Sequence, residues 1–232
     1  MIEFKNISKS FGRLQVLKDI SLCFEDGVCV IFIGPNGCGK TTLIKCLLHM
    51  VIPNSGTVWI DNKNVSLHPD SRNHLGFMPQ IGSFPEHMTV NEVIKAVQSI
   101  RNYRGEIDKD IYEAYDIPAL GTKKMNTLSG GTVQKVSAAI AFMFHPDIVV
   151  MDEPFAGLDI QASYILRKKI IKEREHGKTI FITSHILSDI DSIISHVVFM
   201  ENGSVLFNKS LTQLYAETGE KNISEAVMQL IK

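Results

Sequence analysis

Gly34, Pro35, Asn36, Gly37, Cys38, Gly39, Lys40 and Thr41, with Thr42 after them, lie between an apolar run, Val28 to Ile33, and a helix-compatible stretch, KTTLIKCLLHM. Their spacing is G-x-x-x-x-G-K-[ST], in the strand–loop–helix context that this P-loop pattern requires. The glycines let the backbone curl until several N–H groups face one point, and the positive end of the helix dipole adds to their pull on an anion. A chain of phosphates suits such a loop: Lys40 would reach the β and γ phosphates, and the Thr41 hydroxyl would bind Mg²⁺. A second pair of chemistry-bearing residues, Asp152 and Glu153, ends another apolar run, Ile148 to Met151. Ligands of open α/β sheets gather at such strand ends. There Asp152 would hold the metal, directly or through water, and Glu153 would act as general base toward an attacking water.

Leu128, Ser129, Gly130, Gly131 and Thr132 precede Val133, Val136, Ala139, Ile140 and Met143 at helical spacing, so the chain has a second glycine-rich helix start. By itself this stretch fits either an N-cap with a flexible approach or an anion site. The elements that must position these residues follow from pattern. Val28 to Ile33, Ile148 to Met151 and Thr179 to Ile182 are short and rich in β-branched residues, as strands of a buried parallel sheet are. Helical patterns separate them, including Ala162, Ile165, Leu166 and Ile170 before Gly177, which implies an α/β core. From Ile81 to Phe144 helical patterns dominate, and this stretch reads as an inserted lobe. Thr89 and Glu92 form a capping box with Met88 and Val93 as its staple, and Val93, Ile94, Val97 and Ile100 make the apolar face of the helix that follows. Residues 210–232 read as two short helices broken near Gly219.

Composition narrows the classes. The chain has 232 residues, of which 44% are hydrophobic and 21% charged, so it is an ordinary globular protein and not a disordered one. Lys and Arg number 24 against 25 Asp and Glu, which gives no basic surplus and no nucleic-acid partner. No apolar run approaches the roughly 20 residues of a membrane-spanning helix. The start MIEFKNISKS lacks the apolar core of a signal peptide, which points to a cytoplasmic address. Cys23, Cys29, Cys38 and Cys46 show no zinc or redox spacing and are expected as reduced thiols. The histidines are scattered, without the i, i+4 pairs of a metal site.

Over nearly its whole length the chain resembles the ATP-binding cassette (ABC) family. Gly34 to Thr41 match its Walker A motif, Ile148 to Glu153 its Walker B motif, and Leu128 to Gly131 its LSGG signature. The resemblance implies one ABC ATPase domain over residues 1–232: a P-loop NTPase α/β core with a mainly parallel sheet (1–80 and 145–209), a peripheral antiparallel β region, an inserted helical lobe (81–144) and a C-terminal helical extension (210–232). It implies Mg²⁺-dependent ATP hydrolysis that powers a separate transmembrane permease subunit, with the ATPase peripheral on the inner face of the membrane. It also implies a second ATPase subunit, in a homodimer, whose P-loop ATP is closed over by Ser129, Gly130 and Gly131. By match to the family, Gln80 contacts metal and water, Asp159 couples the two sites, His185 senses the γ phosphate and Phe11 stacks on adenine.

The chain departs from the family pattern at Phe11 in place of Tyr, Cys38 in place of Ser, Thr132 in place of Gln and Lys135 in place of Arg. Among such cassettes it is most similar to the ATPase serving copper-site maturation of nitrous oxide reductase. Repair and ribosome-associated cassettes carry a long coiled coil or a second cassette, neither of which this sequence shows. A P-loop kinase would leave LSGG and the Asp152–Glu153 pair without a role. Met78, Phe84 and Met88 cluster beyond a strand end as a candidate groove for a helix of the membrane subunit, or else as local core.

Overall fold

The computed structural model describes residues 1–185 and 193–231. The chain opens with β1 (Ile2–Phe11), β2 (Leu14–Phe24), β3 (Cys29–Ile33), α1 (Lys40–Leu47), β4 (Ser55–Ile60) and β5 (Lys63–Asn64). Next come β6 (Leu75–Met78), α2 (Val90–Ile100), α3 (Asp110–Ala114), α4 (Ile117–Leu120), α5 (Gly130–Phe142), β7 (Ile148–Asp152) and α6 (Ile160–Glu175). It finishes with β8 (Thr179–Thr183), β9 (His196–Glu201), β10 (Ser204–Ser210), α7 (Leu211–Thr218) and α8 (Ile223–Leu230). Two compact units result, one formed by Met1–Arg72 with Thr179–Lys232, the other by Asn73–Lys178.

In the first unit an antiparallel sheet runs in the order β2-β1-β4-β5. A second layer is built on β3, which pairs in parallel with β8 on one side and β9 on the other, while β10 runs antiparallel along β9. All five residues of β3 and of β8 are buried, which is why both read as unbroken apolar runs with no alternation. Phe24 from β2 packs edge-on against Phe32 and Phe181, with ring centroids 6.2 and 5.4 Å away. Burying aromatic rings of this size is worth about 2 to 3 kcal/mol each.

In the second unit β6 and β7 pair in parallel, with Leu75 opposite Ile148 and Met78 opposite Met151. The expected capping box at Thr89 is present: the Glu92 N–H donates to Thr89 Oγ1, and the Thr89 N–H donates to Glu92 Oε2 at 2.7 Å. Val93 and Ile94 are buried, Val97 is half-buried and Ile100 is 84% exposed, so the apolar face of α2 leaves the core along its last turn. Met78 is fully buried in its strand, while Phe84 and Met88 are half-buried, so the three do not line one groove. Sequence gave no hint that Lys169 is buried: its ammonium pairs with Asp108, Asp110 and Glu173 inside the unit. No helix among the described residues is long and apolar enough to cross a membrane.

Candidate nucleotide site

The first unit carries the P-loop. β3 stops at Ile33 because Gly34, at φ 145°, turns the chain away, and Gly37 and Gly39 are also at positive φ. Two of these glycines are required by their surroundings. A Cβ on Gly34 would lie 2.0 Å from the Met200 carbonyl oxygen, and one on Gly39 would lie 2.9 Å from that of Val16. Gly39 leads into α1, whose first turn has no acidic residue, so nothing there opposes an anion at the positive end of the helix. The Lys40 ammonium is buried and donates to the carbonyl oxygens of Gly34 and Pro35 at 2.7 and 3.1 Å. Pro35, Asn36 and Gly37 are exposed, Thr41 and Thr42 half-buried and Cys38 buried, with the Cys38 N–H donating to the Pro35 carbonyl at 3.2 Å. All four cysteines are free thiols.

Two further residues of this unit bear on the site. The Ser184 N–H donates to the Phe32 carbonyl at 3.1 Å, so His185, exposed at the end of β8, leaves the sheet at the same strand ends as the P-loop. Phe11 ends β1 with 52% of its surface exposed, which rules it out as core, and the Lys9 ammonium lies 5.1 Å from its ring centroid.

The second unit holds the remaining groups. β7 is buried throughout and delivers Asp152, 3% exposed, at its end. Glu153 is half-buried and sits in the left-handed region at φ 49°, an uncommon and strained conformation for a residue with a side chain. Ser129 caps α5, its hydroxyl accepting from the Thr132 N–H at 3.3 Å and lying 2.8 Å from the Thr132 hydroxyl. Thus Thr132, a departure from the family pattern, still serves the cap. Ser129 and Gly130 are exposed, whereas a Cβ on Gly131 would come 2.7 Å from the Gly157 carbonyl oxygen. Asp159 caps α6 through the Ala162 N–H at 2.7 Å and accepts from the Lys135 ammonium, also at 2.7 Å. That lysine holds the Asp159 carboxyl below the usual carboxylate range. Gln80, two residues past β6, is exposed, and its carbonyl accepts from Gln134 Nε2 at 2.6 Å.

Two residues here, Tyr115 and Gln134, had no place in the sequence pattern. The Tyr115 hydroxyl donates to the Ala162 carbonyl at 2.7 Å, and burial pushes that hydroxyl above the ordinary tyrosine range. Gln134 and Tyr115 both bind main-chain oxygens, which no spacing rule reveals. The pairing of Lys135 with Asp159 was within reach only in that Lys135 stood out as a departure.

Residues 17–156 match the family described as ABC transporter. The chain belongs to the ABC transporter family. Among curated relatives, this ABC protein is 30% identical over 219 residues to the ABC transporter ATP-binding protein YtrB of Bacillus subtilis (strain 168), covering 94% of its own length and 74% of YtrB. A solved ATP binding subunit of an ABC transporter superposes with a TM-score of 0.90 over 100% of both chains at 24% identity, a likeness of fold. The dimeric bacterial cassette MJ0796 has a TM-score of 0.80 at 26% identity over 91% of this chain and 99% of its own. That cassette has also been solved as a post-hydrolysis dimer bound to ADP and Pi. This ABC protein is therefore an ATP-binding subunit that hydrolyses ATP in the service of transport. Its α/β fold, with mostly parallel strands in one layer and a separate antiparallel sheet, is that of ABC ATPases.

Proposed function

We propose that this ABC ATPase binds MgATP with the phosphates on Gly34, Pro35, Asn36, Gly37, Cys38, Gly39, Lys40, Thr41 and Thr42, and the adenine against Phe11. The observation that carries the reading is the loop itself: three positive-φ glycines lead into a helix start without an acidic residue, beside a buried lysine. Thr41, Asp152 and Gln80 would hold Mg²⁺, and their donors, a hydroxyl, a carboxylate and an amide oxygen, are the hard oxygen ligands this ion takes. When bound, the ion neutralises charge on the β and γ phosphates. Glu153 accepts a proton from the attacking water, and His185 donates a hydrogen bond to the γ phosphate. The left-handed backbone of Glu153 supports this role, since such strain persists where a side chain must be aimed.

The active form is a head-to-tail homodimer in which Ser129, Gly130, Gly131 and Asp159 of one chain contact ATP on the other. The dimer in turn drives a separate transmembrane permease from the cytoplasmic face of the membrane. Exposure of Ser129 and Gly130 supports this, because a capped helix start open to solvent can meet a phosphate on a second surface. Within the chain, residues 1–80 and 145–209 form the nucleotide-binding core, 81–144 the lobe that receives the permease and 210–232 the C-terminal extension.

Glu153→Gln tests the assignment. It should keep MgATP binding, lower turnover by about 10² to 10⁴, and let ATP-bound dimers accumulate in size-exclusion chromatography. Turnover within about twofold of wild type would remove Glu153 as the base.

A further inference from the structure

We infer that Gln134 is a positioning residue for hydrolysis, tying the main chain of Gln80 to the helix that carries Ser129 and Gly130. Gln134 lies in the second turn of α5 and is 5% exposed. Its Nε2 donates to the Gln80 carbonyl at 2.6 Å, while its Oε1 is buried without a hydrogen-bond partner. The orientation of the amide is fixed, because exchanging its ends would set two acceptor oxygens 2.6 Å apart. A side chain kept for packing alone would be more favourable as Leu or Met, since half of this amide is desolvated with nothing in return. The amide is therefore explained by its donor half, and that half holds Gln80.

A second contact holds the same stretch. A Cβ on Gly82 would come 2.9 Å from Val133 Cγ1, 3.3 Å from Phe84 Cε2 and 3.5 Å from Ser137 Cβ, so the chain beyond Gln80 lies flat on α5. Gln80 is itself exposed, and the reach of its side chain depends on where its backbone is anchored. Any shift of α5 carries Gln80 with it, and any independent shift must break this partly buried hydrogen bond. In this way α5 fixes both the exposed Ser129–Gly130 turn at its start and Gln80 beside its second turn. The inference rests on the reading of Gln80 as the residue that contacts metal and water.

Steady-state ATPase kinetics of the full chain test it with four variants. Gln134→Met keeps the volume and removes the donor; kcat should fall about 10- to 100-fold with KM for ATP within about threefold. Gln134→Glu can donate only when protonated, and burial against a carbonyl oxygen raises its pKa. Its kcat should be near wild type in mild acid and fall as pH rises, a limb that wild type lacks; because the raised pKa also lowers stability as pH rises toward it, rates are read well below the variant's melting temperature at each pH. Gln80→Ala should lower kcat, and Gln80→Ala combined with Gln134→Met should be no worse, because a residue acting through Gln80 adds nothing once that side chain is gone. Impaired Gln80→Ala with an unimpaired Gln134→Met, or multiplied losses in the double variant, would overturn the positioning role alone. A wild-type rate in Gln80→Ala would overturn the reading of Gln80 and the inference with it. If Gln134→Met does not fold, the pH profile of Gln134→Glu decides, and a profile parallel to wild type overturns the inference.

Discussion

The chain contains two glycine-rich turns into helices, Gly34–Lys40 and Ser129–Gly131, and they are built for opposite reasons. In the first, two glycines answer to their own chain, since Gly34 and Gly39 face carbonyl oxygens that leave no room for a Cβ, Gly37 has open space around it but a positive φ that asks for glycine, and Lys40 is buried against carbonyls of the same loop. In the second, only Gly131 is so confined, by the Gly157 carbonyl, whereas a Cβ on Gly130 would meet nothing within 4 Å. A glycine that its own chain does not require leaves backbone uncovered for something outside the chain. The first turn is thus a completed cradle, and the second is a surface prepared for contact.

Gly34→Ala should have the largest effect on this contrast. Overlap with the Met200 carbonyl combines with an unfavourable φ, so unfolding in urea should show a loss of about 3 kcal/mol or more, with ATP binding lost as well. A fully folded Gly34→Ala variant that binds ATP would show that the loop is looser than its contacts imply.

Gly130→Ala should behave in the opposite way. It adds a methyl group in open space at the first residue of α5, where Ala is the better helix former, so stability should be unchanged or rise by up to about 1 kcal/mol. ATP binding by the isolated subunit should persist, while hydrolysis falls at least about tenfold because closure on the partner's nucleotide is blocked. If the melting temperature falls and hydrolysis does not, Gly130 serves its own fold and the contrast between the turns collapses.

The two turns also differ in how far sequence revealed them. The P-loop was legible because its chemistry and its fold ask for the same residues, and because β3, β7 and β8, buried on both faces, read as plain apolar runs. The capping box at Thr89 was legible because side chain and backbone meet within three residues. Less could be read around the second turn, where support comes from distant partners: Lys135 to Asp159, Gln134 to a main-chain oxygen and Tyr115 to another. Burial of Lys169 was hidden for the same reason, since its partners Asp108 and Asp110 lie some sixty positions away along the chain. The antiparallel sheet was obscured differently. Register shifts between Phe4 and Ile7 and between Ile7 and Lys9 break the alternation by which β1 would have announced itself. Ile100 marks the converse error, an apolar residue at the right spacing on a turn that had already left the core.

Acid should separate the two turns by the smallest of these effects. Lys40 is held by carbonyl oxygens, which do not titrate, whereas Lys135 is held by the Asp159 carboxylate. Because that carboxyl is depressed in the folded chain, its contribution is present above the unfolded carboxyl value of about 3.9 and is lost as pH falls through the lower folded value. Asp159→Asn isolates the charge, since Asn is as good an N-cap and keeps the bond to the Ala162 N–H. Wild type should therefore be slightly more stable than Asp159→Asn at neutral pH, with urea midpoints converging as the pH drops below about 4. The gap is small because the pair is exposed and screened by salt. A gap that persists unchanged in acid would mean that Asp159 supports the second turn by shape and not by charge, and that the two turns are less different than their partners suggest.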